Sequence, residues 1–298
     1  MTEIYHDRPL RFTIPSRNAR GRTVRLDSVL NDIIAPHDYP VAVKHLVAEA
    51  ATLAALIGSM LKQSEGQLTM QAQTQGGIIE LLVADYKDGE VRSYARYDRD
   101  RLAEQGKNPS LGALFGKGYL AITFDRTPMH GDDGQRYQGI VELAGNSLTE
   151  ACQNYFFQSE QVPTLIKVAI SSDENGCRTG GFLVQHLAEG EVGRERLHAK
   201  LDHPEWEHVS ILAETLNHAE LLDRALSMED LIWRLFHEED EVLIEQAVPL
   251  SKGCRCSVEH YRKVLSRFGE AEKAEMRDEN GDILVDCAFC ARQFAITD

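Results

Sequence analysis

Two short cysteine motifs near the C-terminus, Cys254-Arg255-Cys256 and Cys287-Ala288-Phe289-Cys290, decide how the last part of the chain folds. A CxxC turn places two sulfurs on one side of a metal ion. A CxC motif in extended backbone does the same, because residues i and i+2 point to the same side. Zinc prefers tetrahedral sites and accepts four thiolates. The two motifs therefore predict one site for a single Zn²⁺ per chain, with Cys254, Cys256, Cys287 and Cys290 as its ligands.

The segment that carries these motifs, residues 250–298, is too short to bury a stable core by itself. Domains of this size usually need a staple such as a metal ion. Apolar residues at 283–285 and 293–296 predict two short strands that flank the second motif, and Ser257 is placed to cap a helix that runs to Phe268. We therefore expect a small zinc-binding C-terminal domain.

The chemistry of the cysteines suggests that this domain responds to oxidants. Cys256 directly precedes a predicted helix N-terminus and Arg255 lies between the first pair, and both features favour the thiolate form. Oxidants attack thiolates, and a disulfide no longer binds the metal. Because metal binding in so small a domain is also folding free energy, of about 10 kcal/mol or more, losing the metal should unfold the segment. The motifs therefore support a redox switch and leave open what the unfolding achieves.

The preceding chain predicts an α+β fold. Residues 1–188 combine a long helix that starts after Pro40 with extended runs separated by turn signals, which predicts one domain with a mostly antiparallel sheet and packed helices. Residues 189–249 are charged and helix-forming, which predicts a helical linker. Ser227 is placed to cap a linker helix whose apolar face is Leu231, Ile232, Leu235 and Phe236.

The overall charge argues against a nucleic-acid partner. The 298 residues carry a formal net charge of −15, which repels phosphate backbones. The chain begins without a basic and apolar signal segment, and we expect no apolar run of the roughly 18 residues that span a bilayer. Residues 46–61 are therefore predicted as a buried helix, and no membrane association is expected. A cytoplasmic location, where thiols stay reduced, follows as an expectation.

Three other functions compete with a zinc switch. A thiol–disulfide oxidoreductase would use Cys287 and Cys290. In such enzymes the CxxC lies beside a helix start in a βαβ unit, whereas here it lies between two predicted short strands. A zinc-ribbon nucleic-acid binder needs a basic, aromatic-rich face, which residues 257–282 do not provide. A hydrolase needs an open coordination position, whereas four thiolates fill the site. The isolated Cys152 and Cys177 are predicted to be small buried residues without a function.

Several stretches outside the cysteine motifs carry a resemblance to a known family. They are LTMQAQTQGG (68–77), RSYA (92–95), YQGIVELAG (137–145), YFFQSEQVPT (155–164), GGFLVQ (180–185) and WRLF (233–236). With the CxC, the long gap and the CxxC, they resemble the redox-regulated 33-kDa heat-shock chaperones of bacteria over nearly the whole chain. The departures are Ala288, where an acidic residue is more usual, and the additional Cys152 and Cys177.

The resemblance implies a chaperone rather than an enzyme. It implies an ATP-independent holdase that is inactive when reduced and zinc-bound. Oxidation would join Cys254 to Cys256 and Cys287 to Cys290, release zinc, unfold the C-terminal region and uncover apolar surface on the first domain. The implied partners are unfolded or oxidatively damaged proteins, a second copy of the chain in the active dimer, and ATP-dependent foldase chaperones downstream.

Overall fold

The computed structural model describes residues 7–61, 66–106, 108–126, 136–174, 176–187 and 203–297. The strands are β1 (Leu10–Ile14), β2 (Ala19–Leu26), β3 (Gly66–Gln75), β4 (Ile79–Lys87), β5 (Glu90–Tyr97), β6 (Lys117–Arg126), β7 (Arg136–Glu142), β8 (Thr164–Asp173), β9 (Gly176–His186), β10 (Leu243–Gln246), β11 (Ser251–Lys252), β12 (Ile283–Asp286) and β13 (Gln293–Ile296). The helices are α1 (Ser28–Ile34), α2 (Val41–Gly58), α3 (Arg99–Ala103), α4 (Leu111–Phe115), α5 (Leu148–Tyr155), α6 (Pro204–Glu214), α7 (His218–Leu222), α8 (Met228–Phe236), α9 (Val258–Leu265) and α10 (Glu270–Met276). The predicted α+β class is confirmed.

The strands of the first domain divide into two sheets. One sheet has the order β10-β1-β2-β9-β8 and the other has the order β11-β5-β4-β3-β6-β7. Every pairing in them is antiparallel except the short parallel contact of β11 with β5. The sequence predicts the antiparallel character but only one sheet. Alternation along a strand shows which side chains face inward, and it does not show which strands are neighbours.

Helix α2 fills the space between the two sheets. Its alanines and leucines are buried around nearly the whole circumference, so it packs against both sheets at once. The close approach requires small residues, since a Cβ on Gly58 would lie 2.2 Å from the ring of Tyr86. By length and composition α2 could cross a membrane, so the prediction that no run is long enough was wrong. It is 78% buried inside the fold, which confirms the buried helix predicted there.

A second apolar core lies on the other face of the first sheet. Helices α6, α7 and α8 cover Phe12, Phe182 and neighbouring side chains of β1 and β9. The predicted buried face of α8 and its Ser227 cap are confirmed, with the Ser227 hydroxyl accepting the Asp230 N–H. Arg25 holds α7 in place, because its Nε donates to the carbonyl of Leu221 at 2.8 Å.

Two elements differ from the expectation. Residues 28–34, where the sequence analysis predicts no helix, form α1 and bury four apolar side chains. The linker is not only helical, because residues 243–246 form β10 and pair with β1 at the sheet edge. The predicted domain boundary at residues 188–189 lies outside the described residues. The boundary at 249–250 falls just before β11, which joins the second sheet.

Candidate metal centre

The CxxC motif forms the turn of a small hairpin. Strands β12 and β13 pair antiparallel from Ile283 opposite Ile296 to Asp286 opposite Gln293, as the sequence predicts. The Cys287 N–H donates to the Arg292 carbonyl at 2.9 Å, and the Ala291 N–H donates to the Cys287 carbonyl at 2.8 Å. Ala291 closes the turn with φ +53°, a left-handed conformation uncommon for a residue with a Cβ. The hairpin thus folds Cys287 and Cys290 back toward each other.

The CxC motif connects the core sheet to a helix. The Gly253 N–H donates to the Val91 carbonyl at 2.8 Å, which holds the chain beside β5 just before Cys254. After Cys256, Ser257 caps α9 by accepting the His260 N–H. The helix ends at Leu265 rather than at the predicted Phe268, and Gly269 caps the start of a further helix, α10. Cys254 and Cys256 therefore lie between the hydrogen bond of Gly253 to β5 and the capped start of α9.

The four predicted ligands come together in one cluster. Their Sγ atoms all lie within 4.8 Å of one another. The separations are 3.1 Å between Cys254 and Cys256, 3.6 Å between Cys254 and Cys287, and 3.5 Å between Cys256 and Cys290. A tetrahedral ion with Zn–S bonds of about 2.3 Å places its sulfurs about 3.8 Å apart, whereas a disulfide needs about 2.05 Å. The sulfur separations are therefore closer to those of a metal site than to that of a disulfide, and no disulfide joins the four cysteines.

The electrostatics of the cluster differ between its members. Burial, with hydrogen bonds to the neighbouring thiols, raises the pKa of Cys256, and burial also raises the pKa of Cys254. Burial opposes ionisation of Cys290 too, but the backbone N–H and guanidinium of Arg292 outweigh it and lower its pKa to about 6. Without a cation, the negative charge is concentrated on Cys290. Four thiolates at these separations repel one another, so a bound cation is what lets all four ionise.

The guanidinium beside the thiols belongs to a residue that the sequence reasoning missed. Arg292 lies two residues after the CxxC and interacts with Cys290. Arg255 was expected to favour the thiolate form, but its side chain turns away and donates to Gln67. Its position between two cysteines suggested proximity, yet successive residues of an extended chain point to opposite sides. Strand alternation could not have identified Arg292, because Ala291 between it and Cys290 closes the hairpin turn with a left-handed backbone.

The remaining cysteines and the nearby histidine lie apart from the cluster. His260 is exposed on α9 and is not part of the four-residue group. Cys152 and Cys177 are buried in the main core. Burial raises the pKa of the Cys177 thiol to about 11 and also raises the pKa of Cys152. Both thiols are therefore protonated and shielded at neutral pH.

Comparisons with known proteins agree with this arrangement. The Hsp33 protein family matches residues 7–297. A 33 kDa chaperonin of Caulobacter vibrioides is 36% identical over 293 residues, which cover 96% of this chain and 93% of the relative. A 33 kDa chaperonin of Pseudomonas aeruginosa is 34% identical over 296 residues, covering 97% and 91%.

A solved structure shares the fold. The crystal structure of the 33 kDa chaperonin from Thermotoga maritima superposes with a TM-score of 0.77 and covers 98% of this chain and 95% of that chain, at 23% sequence identity. The family match spans both the core sheets and the C-terminal cysteine cluster. The chain is therefore a member of the Hsp33 family of 33 kDa chaperonins.

Proposed function

We propose that the protein is an ATP-independent holdase chaperone that is switched on by oxidation of a zinc centre. The observation that carries the proposal is the cluster of four sulfurs, three of whose separations, 3.1–3.6 Å, lie nearer to the value of about 3.8 Å for a tetrahedral thiolate site than to that of a disulfide bond. A set of four soft thiolates with no oxygen ligand favours zinc over harder cations. Cys254, Cys256, Cys287 and Cys290 would hold one Zn²⁺ per chain in the inactive form.

The oxidation balances with peroxide as the electron acceptor. Two disulfides form as the four thiolates lose four electrons, and two molecules of hydrogen peroxide take these with four protons to give four waters. The zinc ion leaves because its ligands no longer carry charge. The pairs within each motif, Cys254 with Cys256 and Cys287 with Cys290, stay close when the segment unfolds, since only one or two residues separate them. Pairs across the motifs lose their proximity.

The linker helices cover the surface that would bind clients. Helices α6, α7 and α8 bury apolar side chains of the first sheet, including Leu10, Phe12 and Phe182. The linker joins the C-terminal segment through β10 and β11, which both pair at the edges of the core sheets. Unfolding of the segment frees β11 and loosens its connection to β10 and α8. The uncovered face would bind unfolded or oxidatively damaged proteins through their apolar side chains.

The wider setting follows from the same proposal. The active form works in the cytoplasm as a homodimer, performs no catalysis, and passes its clients to ATP-dependent foldases. It binds neither nucleic acid nor membrane, in keeping with the net charge of −15. The family relatives named chaperonins support the chaperone assignment.

A direct test follows client aggregation and zinc together. Light scattering of a thermally unfolding client is recorded with reduced protein and with protein treated with peroxide and mild heat, or with hypochlorous acid, while a zinc-binding dye reports release. We expect one zinc per chain to be released and aggregation to be suppressed only after oxidation. A variant lacking Cys177 serves as the control and should switch normally. Equal suppression by the reduced, zinc-loaded protein would refute the switch.

One observation favours a second candidate, a thiol–disulfide oxidoreductase. The pKa of Cys290, lowered to about 6, is typical of an attacking thiol. Against it, the CxxC lies in a hairpin turn between β12 and β13 rather than at a helix start. Catalytic reduction of an insulin disulfide, at turnover well above one per chain and without zinc release, would support this alternative over the holdase.

A further inference from the structure

The two motifs contact the core domain through the residues that lie between their cysteines. The ring of Phe289 meets the ring of Tyr94 edge-on, with centroids 4.7 Å apart and an angle of 78°. The guanidinium carbon of Arg92 lies 4.0 Å from the centre of the same ring. Nε2 of His37 lies 3.3 Å from the Phe289 carbonyl oxygen. We call the site made by His37, Arg92 and Tyr94 the Phe289 socket.

Arg255 makes the corresponding contact for the first motif. Its Nη1 donates to Oε1 of Gln67 at 2.5 Å, and its Nε lies 3.8 Å from Oε2 of Glu90. Gln67 belongs to β3, and Glu90 belongs to β5, the strand that also carries the socket residues Arg92 and Tyr94. Neither Arg255 nor Phe289 supplies a sulfur to the cluster. Each motif thus supplies two cysteines to the cluster and one further residue, which we call its anchor, that contacts the core domain.

Strand geometry explains why both anchors meet the same surface. Val91 and Ala95 of β5 point into the main core, so Glu90, Arg92 and Tyr94 point to the outer face of the sheet. Arg92 is fixed there by Asp85 of β4, whose Oδ2 accepts from its Nε at 2.7 Å. Asp85 is only 2% exposed, so the docked segment covers a paired charge. The socket is therefore built into the core sheet, and its partners in the C-terminal segment are Phe289 and Arg255.

We propose that Phe289 and Arg255 are positioning residues that dock the metal centre on the outer face of the six-stranded sheet, and that this docking is separable from metal binding. The inference rests on the proposed redox function for its biological role. When a disulfide forms, the two thiolates of a motif give up two electrons, and one hydrogen peroxide takes these with two protons from solvent to give two waters. In the CxC motif the sulfurs must close from 3.1 Å to about 2.05 Å. The loop that carries each anchor is therefore the loop that oxidation reshapes, and undocking follows directly.

Hydrogen exchange tests the docking without relying on chaperone activity. The Ser251 and Gly253 N–H groups donate to carbonyls of Gly89 and Val91, so their protection reports whether the segment is docked. In reduced, zinc-loaded Phe289→Ala, we expect protection at residues 250–256 to fall about ten-fold, because an aromatic pair and a cation–π contact are lost together. Zinc content should stay at that of the wild type, because the four sulfurs are unchanged.

Matched variants separate docking from simple loss of fold. Tyr94→Leu removes the socket's aromatic ring from the core side, touches no ligand, and should give the same loss of protection with zinc retained. Phe289→Tyr keeps the ring and should restore protection. Phe268→Ala removes a phenylalanine that is 39% exposed in the same segment, and it should leave protection unchanged.

Two results would overturn the proposal. One is wild-type protection in both Phe289→Ala and Tyr94→Leu, which would mean that the socket does not dock the segment. The other is loss of zinc from both variants, which would make docking and metal binding a single event. Failure of oxidised wild-type protein to suppress aggregation is a different outcome. It would refute the proposed holdase while the exchange data still decide the docking.

Discussion

The core around α2 and the C-terminal segment are stabilised by different means. In the core, α2 buries its side chains between two sheets, and residues such as Leu53 and Leu56 are wholly inaccessible. In residues 254–297 the buried apolar side chains are only Ile283, Cys287 and Ile296, and neither α9 nor α10 has a buried residue. The comparison teaches that, with the proposed zinc bound, four sulfurs and one ion would do for the segment what a hydrophobic core does for the rest. The first region is stable by packing, whereas under the proposed function the second would depend on a ligand set that oxidants can remove.

The largest expected effect comes from removing ligands. In Cys287→Ser with Cys290→Ser, zinc affinity should fall steeply, because the metal contributes about 10 kcal/mol or more to folding of such a unit. Residues 254–297 should lose amide protection while the core keeps its thermal transition, and redox control of aggregation should disappear. Zinc titration with a competing dye, alongside hydrogen exchange, measures both.

The control for this experiment removes a cysteine from the core. Cys177→Ser changes a buried thiol in the main core and should leave zinc binding intact. If zinc binding in the double variant were as tight as in the wild type, the assignment of Cys287 and Cys290 as ligands would be wrong.

The next prediction weakens the core and leaves the C-terminal segment unchanged. Leu53→Ala leaves a cavity between α2 and the sheets and should cost about 2–5 kcal/mol of unfolding free energy. It should lower the denaturant midpoint of the core and leave zinc content unchanged. Val41→Ala, on the same helix but 57% exposed, is the matched control and should change the midpoint little. A midpoint that shifts equally in both variants would contradict the packing account of the core.

The contrast also explains how much the sequence could predict. The cysteine spacing predicts the cluster, and the apolar runs at 283–285 and 293–296 predict its hairpin, because both signals are local. The composition of α2 predicts a buried helix for the same reason. The division into two sheets depends on which strands pair, and the pairing is set by contacts between residues far apart in the chain. Local patterns do not contain that information.

Two particular misses have simple physical causes. β10 is exposed at all four of its residues, so it has no apolar alternation to reveal a strand, and only its backbone pairing with β1 defines it. Arg255 was expected beside the thiols, but docking on Gln67 draws its side chain away. Arg292 takes its place because the hairpin turn folds it back on Cys290. In both cases a contact between residues far apart in the chain determines the structure, and the local sequence does not show that contact.

The smallest effect concerns the acidic run at residues 238–241, which lies in the predicted linker. The carboxylate of Glu239 is only 3% exposed. It accepts from Nε of Arg17 at 2.8 Å and lies 2.7 Å from Nε2 of His208. Arg17 also donates to Glu205 at the start of α6. We call these groups the Arg17 clamp, and they join α6 and the end of the linker to the β1–β2 turn.

The clamp should make linker docking sensitive to acid. Burial favours the neutral form of Glu239, but the hydrogen bonds from Arg17 and His208 outweigh it and hold its pKa below the usual value for a glutamate. A carboxyl with a depressed folded-state pKa contributes stability above its unfolded pKa, and that contribution is lost as the pH falls through the folded value. The linker should therefore loosen in acid, below the ordinary pKa of a glutamate, while zinc-loaded protein at neutral pH stays closed.

Tryptophan emission can follow this loosening. Trp206 of α6 is 9% exposed and belongs to the second core, whereas Trp233 is 66% exposed, so Trp233→Phe provides a background in which emission reports the linker. Arg17→Gln in that background should shift Trp206 emission to the red and weaken linker docking by about 1–3 kcal/mol, the value of a hydrogen bond to a charged group. Arg99→Gln removes an arginine whose side chain is 70% exposed and should leave the emission unchanged. If Arg17→Gln behaves like Arg99→Gln at every pH, the linker is held by its apolar face alone, and the difference between the two regions lies entirely in packing and metal.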